Sequence, residues 1–496
     1  MMKKYFLFVC LHITICTSWG QRISPTQEAI ATVAQLSPKT NLVPKSHIKQ
    51  GGHLTKEDSI FRPLQKNNII PMGANGTIIS DINADEKFTY IHTEGYNKNI
   101  KNIWQNDFKI ESKYDYIGEQ TDSLFHYVLF NCFLPKNKVF LLRTSIRTGI
   151  QEKIEGTLPE GIKMFTFRIV NEDCFIACKY KERPVVMIFH VKDGTFKVLP
   201  NLLDRNAQFL SLYADNESFT AILKRYTGGE LLIKKYSKEG NLLSSFFIPN
   251  DKKQFNEAKT IRIGNQLMII GTYTKGLSFR VRGLYTACLD ENFSAEKVKY
   301  IEFSEFKGIL NDKQQAPPYA IVHQLKPLRD GIMCAFDFFE AAISNQEYTG
   351  KIKYQFSMVC KLDQEANFVW NSVIALDGFT NFIYTQRLRT QTSSKIDILE
   401  SNVKPAMQFL INKNRIMGAC QLGNVIYTNL LDSENGELVA KGIYEELGNE
   451  QITGFLPWFD ENFLVWGRER KNLLTRPTMY MRKIKIVEKP NFELLK

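Results

Sequence analysis

The stretch NEDCFIACKYKERPVVMIFHVKDG, residues 171–194, could form either a metal or redox site or a hairpin of a β-sheet. Cys174 and Cys178 are four residues apart, which on one strand is about 13 Å, whereas a disulfide needs Cα atoms within about 7 Å. No second cysteine or histidine pair at zinc-ligand spacing follows. Two apolar runs joined by the polar turn KERP therefore predict a β-hairpin, with Cys174, Ile176 and Cys178 on one face. His190 is then a residue at the end of a strand and not a metal ligand.

The first half of this hairpin recurs along the chain as a polar turn, four to six apolar residues and a closing small or charged residue. Its mean spacing is about 54 residues, close to the roughly 40 to 50 residues of a four-stranded propeller blade. Continuously apolar runs such as LMIIG and FLVWG indicate strands buried on both faces, and disfavour the strictly alternating strands of an outer-membrane protein. The eight copies are NADEKFTYIHTE (83–94), KNKVFLLRTS (136–145), NEDCFIACKY (171–180), DNESFTAILKR (215–225), GNQLMIIGTYTK (264–275), RDGIMCAFDF (329–338), NKNRIMGACQL (412–422) and DENFLVWGRER (460–470).

The repeat resembles the β-propeller proteins over residues 75–496. The resemblance is one of class, because the WD and GH pairs, the kelch double glycine, the tryptophan-docking motif and the sialidase Asp-box are missing. No family's functional residues are therefore carried over. The resemblance implies an all-β fold, a β-propeller of about seven or eight four-stranded blades. The long interval 332–416 is expected to hold a degenerate blade or a long loop, and the run at 484–496 is expected to supply the last outer strand.

The N-terminus has the pattern of a bacterial secretory signal peptide over residues 1–20, with a basic start, a short apolar core and small residues before Gln21. Export to the periplasm or to the outside of the cell is therefore expected. A lipid anchor is not expected, because neither Cys10 nor Cys16 follows a small residue. Residues 21–74 are polar and proline-containing, and predict an N-terminal arm with one short helix at 24–37.

The composition is that of a globular protein, with 44% hydrophobic and 23% charged residues. The formal net charge is +12, but the lysines and arginines are scattered, so no nucleic-acid partner is predicted. No later segment has the apolar length of a transmembrane helix. The seven cysteines after residue 20 lie in apolar, β-prone runs and are odd in number. They are predicted to be mostly buried thiols, with at least five free.

No metal-protease, nucleophile-elbow, Walker or dinucleotide motif is present in the sequence, so neither a metal nor a cofactor is predicted. The catalytic candidates are Asp337 and Glu340 in AFDFFEAA, because glycosidases use two carboxylates about 5 to 10 Å apart. Arg387 and Arg389 in QRLRTQ are binding candidates, and an ion pair with those acids is the alternative. Trp458, close to acids and arginines, is a third binding candidate.

Two functions follow from these patterns. The preferred one is an exported β-propeller that acts as a non-catalytic binding scaffold for a protein or glycan of the cell envelope. The alternative is a propeller-type hydrolase that acts on a polymer through paired loop carboxylates such as Asp337 and Glu340. The two hypotheses differ in whether two acids converge in one pocket.

Overall fold

The computed structural model of the protein describes residues 34–35, 66–132, 138–180, 183–199, 206–225, 229–276, 280–289, 295–310, 316–343, 349–376, 378–384, 403–445, 450–469 and 478–485. Within these ranges the chain forms eight antiparallel sheets that follow one another around a ring. Each sheet is a propeller blade built on four strands, which run in sequence order from the inside to the outside except in blade 8, whose outer strand comes from near the N-terminus; blades 5 and 6 have one further strand each. The all-β propeller predicted from the repeat is confirmed, with eight blades.

The strand β1 (Ala34–Gln35) precedes the blades. Blade 1 consists of β2 (Lys66–Pro71), β3 (Thr77–Ala84), β4 (Phe88–Tyr96) and β5 (Asn102–Glu111). Blade 2 consists of β6 (Tyr114–Thr121), β7 (Phe125–Cys132), β8 (Lys138–Ser145) and β9 (Gln151–Thr157). Blade 3 consists of β10 (Ile162–Val170), β11 (Asp173–Tyr180), β12 (Arg183–His190) and β13 (Thr195–Leu199). Blade 4 consists of β14 (Ala207–Ala214), β15 (Ser218–Arg225), β16 (Leu231–Ser237) and β17 (Leu242–Ile248).

Blade 5 has its inner strand in two pieces, and consists of β18 (Lys253–Phe255), β19 (Lys259–Ile263), β20 (Gln266–Lys275), β21 (Val281–Leu289) and β22 (Ala295–Glu302). Blade 6 consists of β23 (Tyr319–Leu328), β24 (Gly331–Ile343), β25 (Thr349–Asp363), β26 (Phe368–Ala375) and the added β27 (Thr380–Tyr384). Blade 7 consists of β28 (Gln408–Asn412), β29 (Arg415–Leu422), β30 (Val425–Asp432) and β31 (Leu438–Glu445). Blade 8 consists of β32 (Glu450–Pro457), β33 (Asn462–Glu469), β34 (Thr478–Lys485) and the distant β1.

The burial of each strand follows its place in the blade. The two middle strands are covered on both faces by neighbouring blades, so β7 and β12 are buried along almost their whole length. The outer strands alternate, as in β31, because the blades diverge away from the axis. In the opening stretch, Cys174, Ile176 and Cys178 are fully buried in one core cluster between blades 2 and 3, which confirms the predicted face. His190 ends β12 and pairs with Asp173 at 2.7 Å.

Ring closure differs from the expectation for the C-terminal run. The outer strand of blade 8 is β1, whose Ala34 and Gln35 pair with Met481 and Tyr480 of β34. Residues 486–496, expected to form this strand, lie outside the described residues. Ala34 and Gln35 are extended where a helix was expected, and the rest of that expected helix lies outside the described residues. The first blade begins at Lys66 and not at residue 75, because β2 pairs with β3 over six residues.

Within the described residues, the long interval of the repeat holds an extension of the hairpin of blade 6, and residues 385–402 lie outside them. The strands β24 and β25 continue past β26, so that residues 339–343 of β24 pair with residues 350–354 of β25. The strand β27 then adds to β25. We call residues 339–343 and 349–354 together with β27 the hairpin extension. It lies at the end of the ring that carries the connections between second and third strands.

The turns before the outer strands explain how blades pack side by side. Each described turn of this type has a residue with a positive φ one or two positions before the outer strand begins, and glycine adopts this conformation without strain. An added Cβ would meet the preceding blade at several of these glycines: Trp104 at Gly149, Leu199 at Gly240 and Trp370 at Gly436. The turn residues are Ile100, Gly149, Gly194, Gly240, Ala366 and Gly436.

Among the residues that the structure describes, no helix has the length and the apolar character needed to cross a bilayer.

Candidate functional site

The two candidate carboxylates do not meet. Asp337 lies within β24 and is 2% exposed, whereas Glu340 lies in the hairpin extension and is exposed. Three residues apart on one strand, their side chains point to opposite faces of the sheet. Glu340 is in register with Lys353, and Asp337 is in register with Ser357. The geometry therefore does not provide the pair of converging acids that a glycosidase needs.

Asp337 is held by groups from three parts of the chain. Its Oδ1 accepts a hydrogen bond from the Ser357 hydroxyl, and its Oδ2 accepts one from the backbone N–H of Ala406 at 2.6 Å. His323 Nε2 lies 3.2 Å from the same Oδ2. Ala406 belongs to the segment that leads into blade 7. The carboxylate of Asp337 thus fixes this segment against blade 6, and both of its oxygens are engaged.

A bulge brings His323 to this cluster. The inner strand β23 shifts its register between Val322 and Gln324, so His323 is the extra residue. Bulges redirect the side chain of the extra residue, and the inner strands of blades 2, 3, 4 and 8 have a shift at the same level. Gln324, directly after the bulge, accepts a hydrogen bond from Phe409 N–H at 3.0 Å and links blade 6 to blade 7.

A second buried acid, Glu257, faces His323 from blade 5. Its carboxylate accepts hydrogen bonds from Val322 N–H at 3.1 Å and from the Thr272 hydroxyl at 2.7 Å. Burial raises the pKa of Glu257, while these hydrogen bonds and the charges of Lys259 and His323 act in the opposite direction. We call Glu257, His323, Asp337 and Ser357 the inner polar cluster. Its acids are bound by protein groups, which is the arrangement of a structural network.

We expect Asp337→Ala to lower the free energy of unfolding by about 3 kcal/mol, because it leaves buried donors on Ser357 and Ala406 without an acceptor. The matched control is Glu340→Ala in the same strand, which should change it by less than about 0.5 kcal/mol because the side chain is exposed. Urea denaturation followed by circular dichroism measures both. A stable Asp337→Ala protein would contradict the structural role of this carboxylate.

Trp458, the third binding candidate, is buried. It is 6% exposed, and its indole N–H donates to the carbonyl oxygen of Gly76 in blade 1 at 2.7 Å. Its ring contacts Phe459, with the ring centres 4.7 Å apart. Trp458 therefore belongs to the core between blades 8 and 1 and is not open to a ligand. Arg387 and Arg389 lie outside the described residues.

Blade 1 holds a row of buried charges that faces blade 8. His92 bridges Glu94 at 2.9 Å and Asp107 at 2.7 Å, and Tyr96 donates to the same Glu94. Burial alone would lower the pKa of His92, but the hydrogen bonds to Glu94 and Asp107 raise it to about 9. Burial raises the pKa of Asp81, the register partner of His92, to about 6. His92 is therefore a cation at neutral pH.

The His92 bridge should make stability depend on pH. The folded pKa of His92 lies above its unfolded value of about 6.5, so its contribution is complete below that value and is lost as pH rises through about 9. Allowing for solvent screening at the exposed Asp107, we expect the free energy of unfolding to fall by about 2 kcal/mol between pH 7 and pH 9.5. Urea denaturation of the wild type and of His92→Gln at both pH values measures it. Equal pH dependence of the two proteins would contradict the assignment.

The hairpin extension has one packed face and one exposed face. Phe339, Ile352 and Tyr354 join the core between blades 6 and 7, and the Tyr354 hydroxyl donates to the carbonyl oxygen of Lys404 at 2.5 Å. On the other face Glu340 is in register with Lys353, and Ala342 with Lys351, and all four are exposed. These four residues form the exposed extension face, which carries one acid and two lysines.

Within the described residues, no group of three or more histidine, cysteine or acidic side chains has the arrangement of a metal site.

Comparisons with known proteins agree with this account only at the level of strand arrangement. No protein-family model matches the chain, and no curated protein does. The quinohemoprotein alcohol dehydrogenase of Comamonas testosteroni is similar to 84% of this chain over 74% of its own, at 9% identity and a TM-score of 0.44. The polysaccharide lyase Uly1 matches 74% of this chain over 89% of its own, at 9% identity and a TM-score of 0.38.

A putative dipeptidyl aminopeptidase IV from Bacteroides ovatus is similar to 82% of this chain over 63% of its own, at 9% identity and a TM-score of 0.40. A likeness at this level carries no inference about activity. The assignment to the propeller fold rests on the order and pairing of the strands in the chain itself.

Proposed function

We propose that the protein is an exported β-propeller that binds an anionic protein or glycan of the cell envelope without catalysis, through the exposed extension face. The observation that carries this proposal is the hairpin extension itself. It adds three paired strands beyond the blade, and Lys351 and Lys353 lie on the exposed face that they share with Glu340 and Ala342. Rigid strands are better platforms for recognition than loops, because less conformational freedom is lost on binding.

The charge of this face favours an anionic partner. Two lysines against one acid give a local excess of positive charge, and the whole chain has a formal charge of +12. Such charges increase the rate and the selectivity of association with an acidic surface. The N-terminal signal pattern supports a partner outside the cytoplasm. The hydrolase alternative receives no support from acids that lie on opposite faces of β24.

The test is recovery of partners from a cell-envelope extract by the immobilised protein and by Lys351→Glu/Lys353→Glu. The matched control is Lys98→Glu/Lys101→Glu, which makes the same change of charge on exposed residues at the opposite end of the ring. We expect at least a tenfold loss of the bound partner with the first variant and less than a twofold change with the second. Equal recovery by all three proteins would rule out the exposed extension face.

Export is tested separately by fractionation of the producing cells and N-terminal sequencing of the purified protein. We expect the protein outside the cytoplasm with Gln21 as its first residue. A cytoplasmic protein that begins at Met1 would contradict this part of the proposal.

A further inference from the structure

Two thiols face each other across blade 6. Cys334 of β24 is the direct register partner of Cys360 of β25. Both are 0% exposed and belong to the same core cluster between blades 5 and 6. In the ladders of the described strands no other two cysteines are register partners, and Cys174 and Cys178 lie on one strand, too far apart to bond.

The antiparallel register fits the geometry of a disulfide. Directly opposed residues in an antiparallel ladder have Cα atoms about 4.5 to 5.5 Å apart, and bonded cysteines have Cα atoms about 4.4 to 6.8 Å apart. Opposed side chains also leave the sheet on the same face. Burial, with the contact to the Cys360 thiol, raises the pKa of the Cys334 thiol well above its usual range. The two sulfur groups are thus already in contact.

We propose that Cys334 and Cys360 form a cross-strand disulfide when the chain folds in an oxidising compartment. The two S–H bonds break and one Sγ–Sγ bond forms, with loss of two protons and two electrons. The electrons pass to a disulfide-bearing oxidant, such as oxidised glutathione or a dithiol oxidase, which is reduced to two thiols. The structure holds the reduced form, in which both residues are free thiols.

Burial sets when the bond can form. A thiolate is the attacking species, and the packed core between blades 5 and 6 disfavours a thiolate and excludes an oxidant. The bond must therefore form before blades 5 and 6 pack together, and once formed it is protected from reductants. It joins the two long strands inside blade 6, five residues before β24 continues into the hairpin extension at Phe339.

The test is refolding of the denatured chain in a buffer of reduced and oxidised glutathione, followed by alkylation, digestion and mass spectrometry. We expect a peptide pair that joins Cys334 to Cys360, about 2 Da lighter than the two thiol peptides together. The same pair should be absent from Cys360→Ala and present in Cys174→Ala, which removes an equally buried cysteine with no opposed thiol. The oxidised protein should also melt roughly 5 °C above its reduced form.

The proposal is overturned if both cysteines are alkylated after refolding without prior reduction, or if Cys334 is joined to another cysteine. Because the assay uses glutathione and purified chain, its outcome does not depend on the proposed export or on binding by the exposed extension face. Its failure would leave both of those proposals standing, and their failure would leave the disulfide standing.

Discussion

Replacing Gly436 with alanine should lower the free energy of unfolding by about 3 to 5 kcal/mol. Gly436 has a φ of 74° in the turn before β31, and an added Cβ would overlap the ring of Trp370 in blade 6. Two costs therefore combine, since a left-handed backbone is strained for alanine and the indole cannot move within a packed seam. Urea denaturation followed by circular dichroism gives the difference from the wild type.

Blade 7 also contains the control for this prediction. Gly423 has a φ of 60°, but no atom lies within 4 Å of the place where its Cβ would be. Gly423→Ala should therefore cost only the backbone strain, about 1 to 2 kcal/mol. The difference between the two variants isolates the contact with Trp370. Equal effects would show that the turn glycines serve the turn conformation alone and not the packing of one blade against the next.

The turn glycines mark how far the sequence could predict this fold. Motifs such as KDG at 192–194 and ENG at 434–436 predict tight turns, because glycine adopts positive φ at little cost. Nothing local shows that the same glycines lie directly against the preceding blade, about 40 to 70 residues earlier in the chain. The period of the repeat can be found in the sequence itself. The contacts between one blade and the next cannot, because they join residues far apart in the chain.

Ring closure was not predicted for the same physical reason. An extended, apolar run near either terminus could pair with the exposed edge of the last blade equally well. Only the strand pairing in the structure shows which of them does. The pairing of β1 with β34 joins residues more than 440 positions apart. The long interval 332–416 was expected to hold a degenerate blade or a long loop, whereas its residues 339–343 pair with residues 350–354 of β25.

The inner polar cluster could be predicted only in part from the sequence. Asp337 stood out as an acid near the end of an apolar run, but its burial and its bond to Ala406, 69 residues later, change its role from candidate catalyst to structural acceptor. The sequence contains one indication of Glu257, because the polar stretch NEA at 256–258 interrupts the inner strand of blade 5. The sequence contains no indication of the role of His323, since a bulge is a feature of strand pairing and not of composition.

At the seam between blades 8 and 1 the ring closes, with Ala34 and Gln35 of β1 paired to β34. Trp458 crosses this seam with its bond to Gly76, and it packs in a cluster with Leu464 and Met481. Ile100 occupies the turn position that is glycine in four of the six described turns before the outer strands. Its φ is 56°, and its buried side chain joins the same cluster. A strained isoleucine thus fills the seam where the ring closes.

Trp458→Ala should therefore lower the free energy of unfolding by about 3 to 5 kcal/mol, since it empties a buried indole site and leaves the Gly76 carbonyl without its donor. Trp458→Phe keeps most of the packing and should cost about 1 to 2 kcal/mol. The comparison is Trp104, whose indole N–H donates to the Ile146 carbonyl at 2.7 Å between blades 1 and 2. Because blades 1 and 2 are consecutive in the chain whereas blades 8 and 1 are not, Trp104→Ala should cost less than Trp458→Ala in the same urea titration. A Trp458→Ala protein as stable as the wild type would show that the ring closes through β1 alone.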